Sequence, residues 1–403
     1  MKIFTDIEEA QDDRRASAAA NQGILAWDTD RPTSLEAFRR SLQQAGPNFG
    51  FVFLVAMLED EADRPTVALN YYRRASSQAL DALEHVRSPA SEAVVRGIIA
   101  AADRRIAELL SPQGLTDEVR ATIERSLVNL RRLGELPGDV RRARLQLLES
   151  QISLGDLVLQ DGDPEGALRT FEEGLDEALP SSATAPGDVG WRTGLEVVWQ
   201  RIGVAKMKIG DVTGAEKAFA ASLAILRELT HDQPSEGSWQ NDLSESLAGA
   251  ASVRQAKGDL SGAAETYGQA LAIARDLSAS APDNDLWKRN LSLRLERVGD
   301  VKRAQGDLPG TMADYESARA VVRELAETHP GNVLWQTDLI TLTVKLGQAA
   351  YESGRRDEAA RLLREALAMV EPLEAAGELK PTDRWKPDSI RQQIAIVDAG
   401  GTL

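Results

Sequence analysis

The chain has 403 residues, 42% of them hydrophobic and 5% aromatic, with 47 Lys and Arg against 63 Asp and Glu, a net charge of −16 and a pI near 4.9. That length suits several domains or one long repeat array, and the acidity argues against a nucleic-acid binder, which carries a basic footprint. With no cysteine, disulfides, thiolate zinc sites and cysteine nucleophiles are excluded.

The first residues run Met1-Lys2-Ile3-Phe4 and turn acidic at once, without a signal-peptide core. The most apolar stretch, Phe51 to Leu58, is too short to span a bilayer. The expectation is a cytoplasmic protein. Within the first 110 residues a short echo appears. Asp30-Arg31-Pro32-Thr33 returns as Asp63-Arg64-Pro65-Thr66, and Phe38-Arg39-Arg40 as Tyr72-Arg73-Arg74. Two degenerate helical units are expected there. Helix follows through to residue 136, with turns at Ser88-Pro89, Pro112-Gln113-Gly114 and Pro137-Gly138.

From about residue 137 the sequence repeats every 48 residues. Trp191, Trp239, Trp287 and Trp335 keep this spacing, as do Pro186, Pro234, Pro282 and Pro330, and Gly162, Gly210, Gly258, Gly306 and Gly354. Three residue types sharing one period identify an internal repeat. Each unit reads as two helices. In the third, Trp239 opens a helix with Leu243, Leu247, Ala250 and Val253 on one stripe. Gly258-Asp259 breaks it, and a second helix buries Ala263, Tyr267, Ala270, Leu271 and Ala274.

These positions resemble the tetratricopeptide repeat family, which places a Leu-Gly-like pair in its first helix and small, aromatic and small residues in its second. Leu154-Gly155 goes with Ala167, Phe171 and Gly174; Ile202-Gly203 with Ala215, Phe219 and Ser222; Val298-Gly299 with Tyr315 and Ala318; Leu346-Gly347 with Ala359, Leu363 and Ala366. Ala251 and Thr311 depart from the pattern without changing size enough to break packing. The family's usual period is about 34, so the resemblance is to its long-helix variants. It implies an all-α fold, a right-handed α-solenoid of helical hairpins forming a tetratricopeptide-like superhelix. The organisation expected is a helical domain at 1–110 with degenerate shorter units, a helical adaptor at 111–136, five units at 137–378, and a capping helix within 379–403.

The chemistry-bearing motifs are few. His85, His231 and His329 lie far apart and show no metal spacing. The Gly-Asp pairs offer one carboxylate each, too few for a calcium loop, and read as helix-breaking turns. No phosphate loop or nucleophile elbow occurs. No enzyme, metal or cofactor is expected. The Trp series reads as packing between hairpins rather than as a binding ladder.

The resemblance implies a concave groove lined by the first helix of each hairpin, where another protein or a peptide segment binds. Removing the core stripe leaves Gln200, Arg201, Lys208, Gln255, Arg297, Arg303, Lys345 and Tyr351 as the candidate contacts. Arg201, Lys208, Arg297, Arg303 and Lys345 would make a basic strip able to grip carboxylates. Glu245, Glu296 and Asp300 interrupt it. If they pair with the cations, an apolar segment would dock on Val197, Val204, Leu293 and Tyr351 instead. The function expected is a non-enzymatic scaffold for a partner polypeptide; the alternative is a regulatory subunit acting on a separate effector enzyme. Neither nucleic acid nor membrane is an expected partner.

Overall fold

A computed structural model describes residues 30–45, 48–111, 117–136, 140–379 and 383–401, with the side chains of 41–45 left out. The acidic start of the chain and the turns at 112–114 and 137–138 lie outside the described residues. Those residues form sixteen α-helices and no strand, in the all-α hairpin-repeat class expected from the sequence. None of these helices is long and apolar enough to cross a membrane.

The chain divides into two compact units, residues 1–194 and 195–403. The first contains α1 (Arg31–Ala45), α2 (Phe49–Glu61), α3 (Pro65–Leu83), α4 (Pro89–Leu110), α5 (Asp117–Leu133), α6 (Val140–Gln160) and α7 (Pro164–Ser182). Successive helices pack on one another. Ala68, Tyr72 and Ala75 of α3 are all buried. The echoed Asp-Arg-Pro-Thr segments nevertheless differ in backbone. Asp30 caps α1 by accepting a hydrogen bond from the Thr33 amide at 3.1 Å, whereas Asp63 adopts φ 54° and caps nothing. The left-handed region suits Asp better than most side chains.

The division falls inside α8 (Val189–Lys208). The second unit continues with α9 (Val212–Asp232), α10 (Gly237–Ala256), α11 (Leu260–Ser280), α12 (Asp285–Ala304), α13 (Leu308–Thr328), α14 (Val333–Glu352), α15 (Arg356–Ala376) and α16 (Lys386–Ala399). The turns follow one recipe. Gly162, Gly210, Gly258, Gly306 and Gly354 all have φ between 77° and 89°, a left-handed conformation that glycine adopts without steric cost. The following Asp163, Asp211, Asp259 and Asp307 cap the next helix, each accepting from the amide three residues on at 2.8–3.0 Å. Arg355 stands at the fifth position and supplies no side-chain cap.

Packing inside each hairpin depends on the glycine of the Leu-Gly-like pair. A β-carbon on Gly203 would lie 2.8 Å from the Phe219 ring, and one on Gly299 would lie 2.6 Å from the Tyr315 ring. The missing side chain is what lets the aromatic of the second helix lie against the backbone of the first. Where Ala251 replaces glycine, the aromatic persists: Tyr267 is buried and its hydroxyl shares a 2.6 Å hydrogen bond with Ser252.

The tryptophans sit at the joins between hairpins. Trp191 and Trp239 are buried, Trp287 and Trp335 are half-buried, and Trp385 is exposed. Trp239 packs with Leu226 and Leu229. Trp335 meets His329 edge-on at 4.8 Å. The Trp287 ring covers Gly237 of the preceding hairpin so closely that a β-carbon there would sit 2.5 Å from it. Gly237→Ala is therefore expected to destabilise the second unit by about 1–3 kcal/mol through overpacking. Urea unfolding followed by tryptophan fluorescence measures this, and an unchanged midpoint would show that the ring can move aside.

Candidate binding face of residues 195–403

The first helices of successive hairpins are tied to one another by side chains 45–50 residues apart. Gln200 donates to Glu245 at 2.8 Å, Asn290 to Asn241 at 2.6 Å, and Arg289 to Asp338 at 2.7 Å. Lys345 contacts Asp300 and Glu296, each at 2.6 Å, and its ammonium lies 5.6 Å from the centre of the Tyr315 ring. Arg303 holds Glu352 and Gln348, while Gln348 donates to Gln393 at 2.9 Å and Lys386 to Thr341 at 3.0 Å. Thus α8, α10, α12, α14 and the terminal α16 stand side by side, joined by polar rungs.

Most of the candidate contacts have a partner on or beside this ladder. Gln200 is buried, and Arg201 donates to its amide oxygen. Arg297 is half exposed and lies 3.5 Å from Asp300. Lys208 is exposed and Gln255 partly so. The Tyr351 hydroxyl donates to the Gly401 carbonyl, just past α16. Arg297, Arg303 and Lys345 are therefore not free cations: each faces a carboxylate on its own helix or on a neighbouring first helix. A hydrogen-bonded ion pair attracts an outside charge less than a lone cation does.

Three residues that sequence reasoning passed over make the most unusual group here. Glu196 of α8 is fully buried, and its Oε1 has no hydrogen-bond partner. Its other oxygen accepts from Ser222 at 3.4 Å. It also shares a hydrogen bond with Asp242 of α10 when one of the two is protonated, and the Asp242 charge opposes ionisation of Glu196. Burial first, and then the Asp242 charge, push the Glu196 carboxyl up to about 8. Burial and the Glu245 charge push Asp242 up to about 6. Arg201 pulls both down without offsetting the desolvation. The third is Arg294 of α12. It is buried, donates to Ser244 at 3.1 Å, and leaves Nη2 without a hydrogen bond 3.8 Å from Glu245.

A signal for Glu196 does exist in the sequence. Stepping by 48 residues gives Leu148, Glu196, Ser244, Ser292 and Ile340, every one of them buried. Ser244 and Ser292 each donate to a carbonyl of the following helix, at 2.9 and 3.0 Å. A carboxylic acid at that position breaks the pattern of its own array, and such local breaks concentrate at functional sites.

No protein-family model matches the sequence, and no curated protein does. Solved structures match by shape. The apo form of the quorum sensor NprR from B. thuringiensis has 14% identity and a TM-score of 0.55, with 90% of each chain covered. The apo form of RapI has 14% identity and a TM-score of 0.52, covering 81% of this chain and all of its own. A tetratricopeptide repeat protein from Parabacteroides merdae covers 82% of this chain and 99% of its own, at 15% identity and a TM-score of 0.43. At such identities the likeness is one of fold: a tetratricopeptide-like array of helical hairpins.

Proposed function

We propose that this chain is a non-enzymatic interaction module that holds a segment of a partner polypeptide in a groove lined by the first helices of residues 195–403. The main support is a contrast between two sets of positions. The close contact between a small first-helix residue and a large second-helix side chain recurs, as at Gly203 with Phe219, Gly299 with Tyr315 and Gly347 with Leu363, whereas the partly exposed first-helix residues Gln255, Arg303 and Tyr351, which share one register, differ from unit to unit. A repeated core makes a scaffold; an unrepeated polar row gives it something to read. Packed helices stand about 10 Å apart, and an extended peptide advances about 3.3 Å per residue. Such a peptide would meet a new helix every third residue. Neither a cofactor nor a membrane or nucleic acid enters this reading.

The test is a photo-crosslinking amino acid placed at Gln255, at Tyr351, and at the exposed Lys217 of α9 as a control. The expected result is a discrete adduct with one polypeptide from Gln255 and Tyr351 and none from Lys217. Adducts of equal yield from all three positions would overturn it. A regulatory subunit that restrains or activates a separate effector enzyme uses the same face. The quorum-sensor name of one fold neighbour supports keeping this second reading, and a change in the effector's activity on binding separates the two.

A further inference from the structure

We propose that Glu196, Asp242 and Glu245 form a subsite for a positively charged group of the bound polypeptide: a lysine or arginine side chain, or a free amino terminus. This rests on the interaction-module reading and specifies the chemistry of the segment held. Three independent observations carry it. The first is the register: a carboxylic acid occupies a core position that Leu, Ser, Ser and Ile fill in the other hairpins. The second is an unmet acceptor, since Glu196 Oε1 is buried with no hydrogen-bond partner. Leaving such a group unpaired is costly unless something fills it. The third is the unmet donor Nη2 of Arg294, itself buried and directed at Glu245. A peptide cation carries its own carbonyl oxygens, so one segment can give a donor to the carboxyls and an acceptor to the guanidinium.

A second rung of the same ladder serves as the template. Asp338 is held by Arg289, which lies 49 residues earlier, at 2.7 Å. Counting 49 residues back from Asp242 gives the uncharged Thr193, and Arg201 is the cation that pulls Asp242 down. The group meets solvent at Glu245, which keeps 35% of its side chain exposed; Asp242 is half-buried and Glu196 fully buried.

Charge balance fixes what happens on binding. Arg201 and Arg294 face three carboxyl groups, and Glu196 and Asp242 are hydrogen-bonded to one another, which requires a proton on one of them. With that proton the five groups are neutral. When a cation is seated, the proton leaves to solvent and neutrality is kept, so affinity rises with pH through neutrality while a measurable proton is released.

The experiment uses the full chain and three probes: N-acetylated octa-arginine, N-acetylated octalysine, and octaserine with a free amino terminus. Calorimetry at pH 7 in phosphate and in Tris gives affinity and proton release together. Wild type is compared with E196Q/D242N and with E165Q, which removes an exposed acid of α7. The double variant removes buried charge, and its helix content and thermal midpoint confirm that it folds. The expected result is binding of at least one probe, weakened about tenfold or more in E196Q/D242N and unchanged in E165Q. Release of up to one proton is expected from wild type alone. The probe that binds identifies the source of the cation. Equal affinity in wild type and E196Q/D242N, equal losses in both variants, or no binding of any probe would overturn the proposal. If a partner still crosslinks at Gln255 in that event, only the cation subsite fails. If the crosslinks fail while a probe binds at these carboxyls, the broader reading fails alone.

Discussion

Phe219→Ala is expected to destabilise residues 195–403 by about 3–5 kcal/mol, the range for truncating a large buried aromatic. Phe219 lies on α9 and is buried with Ala215 and Val253, next to Val204 and Met207. Its ring lies against the backbone of Gly203 on α8 and of Gly249 on α10. It therefore fills the space inside its own hairpin and the space against the next one. Neither neighbour has a side chain that could swing in to fill the hole, so collapse is limited and the cavity cost is high. Stability in repeat arrays is close to a sum of unit and nearest-interface contributions. Damage at a residue shared by two hairpins should therefore uncouple them, giving a lower urea midpoint and a shallower slope. Phe219→Leu should recover much of the loss. A midpoint moved by less than about 1 kcal/mol equivalent would mean that the glycine contacts close around the gap.

The second large effect concerns pH. Glu196→Gln is expected to stabilise the fold above pH 8 and to flatten its pH profile. In the unfolded chain the Glu196 carboxyl titrates near its ordinary 4.5; in the folded chain burial and Asp242 lift it to about 8. Between those values the folded state holds more protons than the unfolded state. Stability therefore falls as pH rises through that window, and the loss is complete once pH passes the folded value. Asp242, lifted to about 6, adds a loss of the same sign at lower pH. Each tenfold difference in proton affinity between the folded and unfolded chain corresponds to about 1.4 kcal/mol, so the swing for Glu196 is on the order of several kcal/mol. Glutamine keeps the shape and can still donate to Asp242 without ever becoming charged. Urea midpoints from about pH 5 to pH 9 check this. Parallel profiles for wild type and variant would remove Glu196 as the titrating group.

The fold was legible in the sequence because its causes are local and repeated. The left-handed glycines, their capping aspartates and the small-residue–aromatic pairs each act within a few residues or within one hairpin, so residue spacing carries them directly. The site was less legible for two reasons. The partners of Lys345, Arg303 and Gln200 lie 45–49 residues away, and which carboxylate meets which cation depends on how neighbouring first helices stand together. Glu196 was hidden in another way. Removing the core stripe to expose the binding face also removes buried positions that carry charge, Glu196 and Arg294 among them.

The turns between the paired helices have a bearing on the protein's length. A β-carbon at Gly162, Gly210, Gly258, Gly306 or Gly354 would find no neighbouring atom within 4 Å. The first four turns draw their cap from the residue that follows in the chain. Each of these four takes its cap from its own residues, whichever hairpin follows. An in-frame crossover between two such glycines would splice chemically equivalent ends, adding or deleting one hairpin's worth of chain while leaving a complete turn at the junction. Copy number is therefore a quantity on which unequal recombination can act without first breaking a loop. The Arg355 turn, without a side-chain cap, is the poorest place for such an exchange.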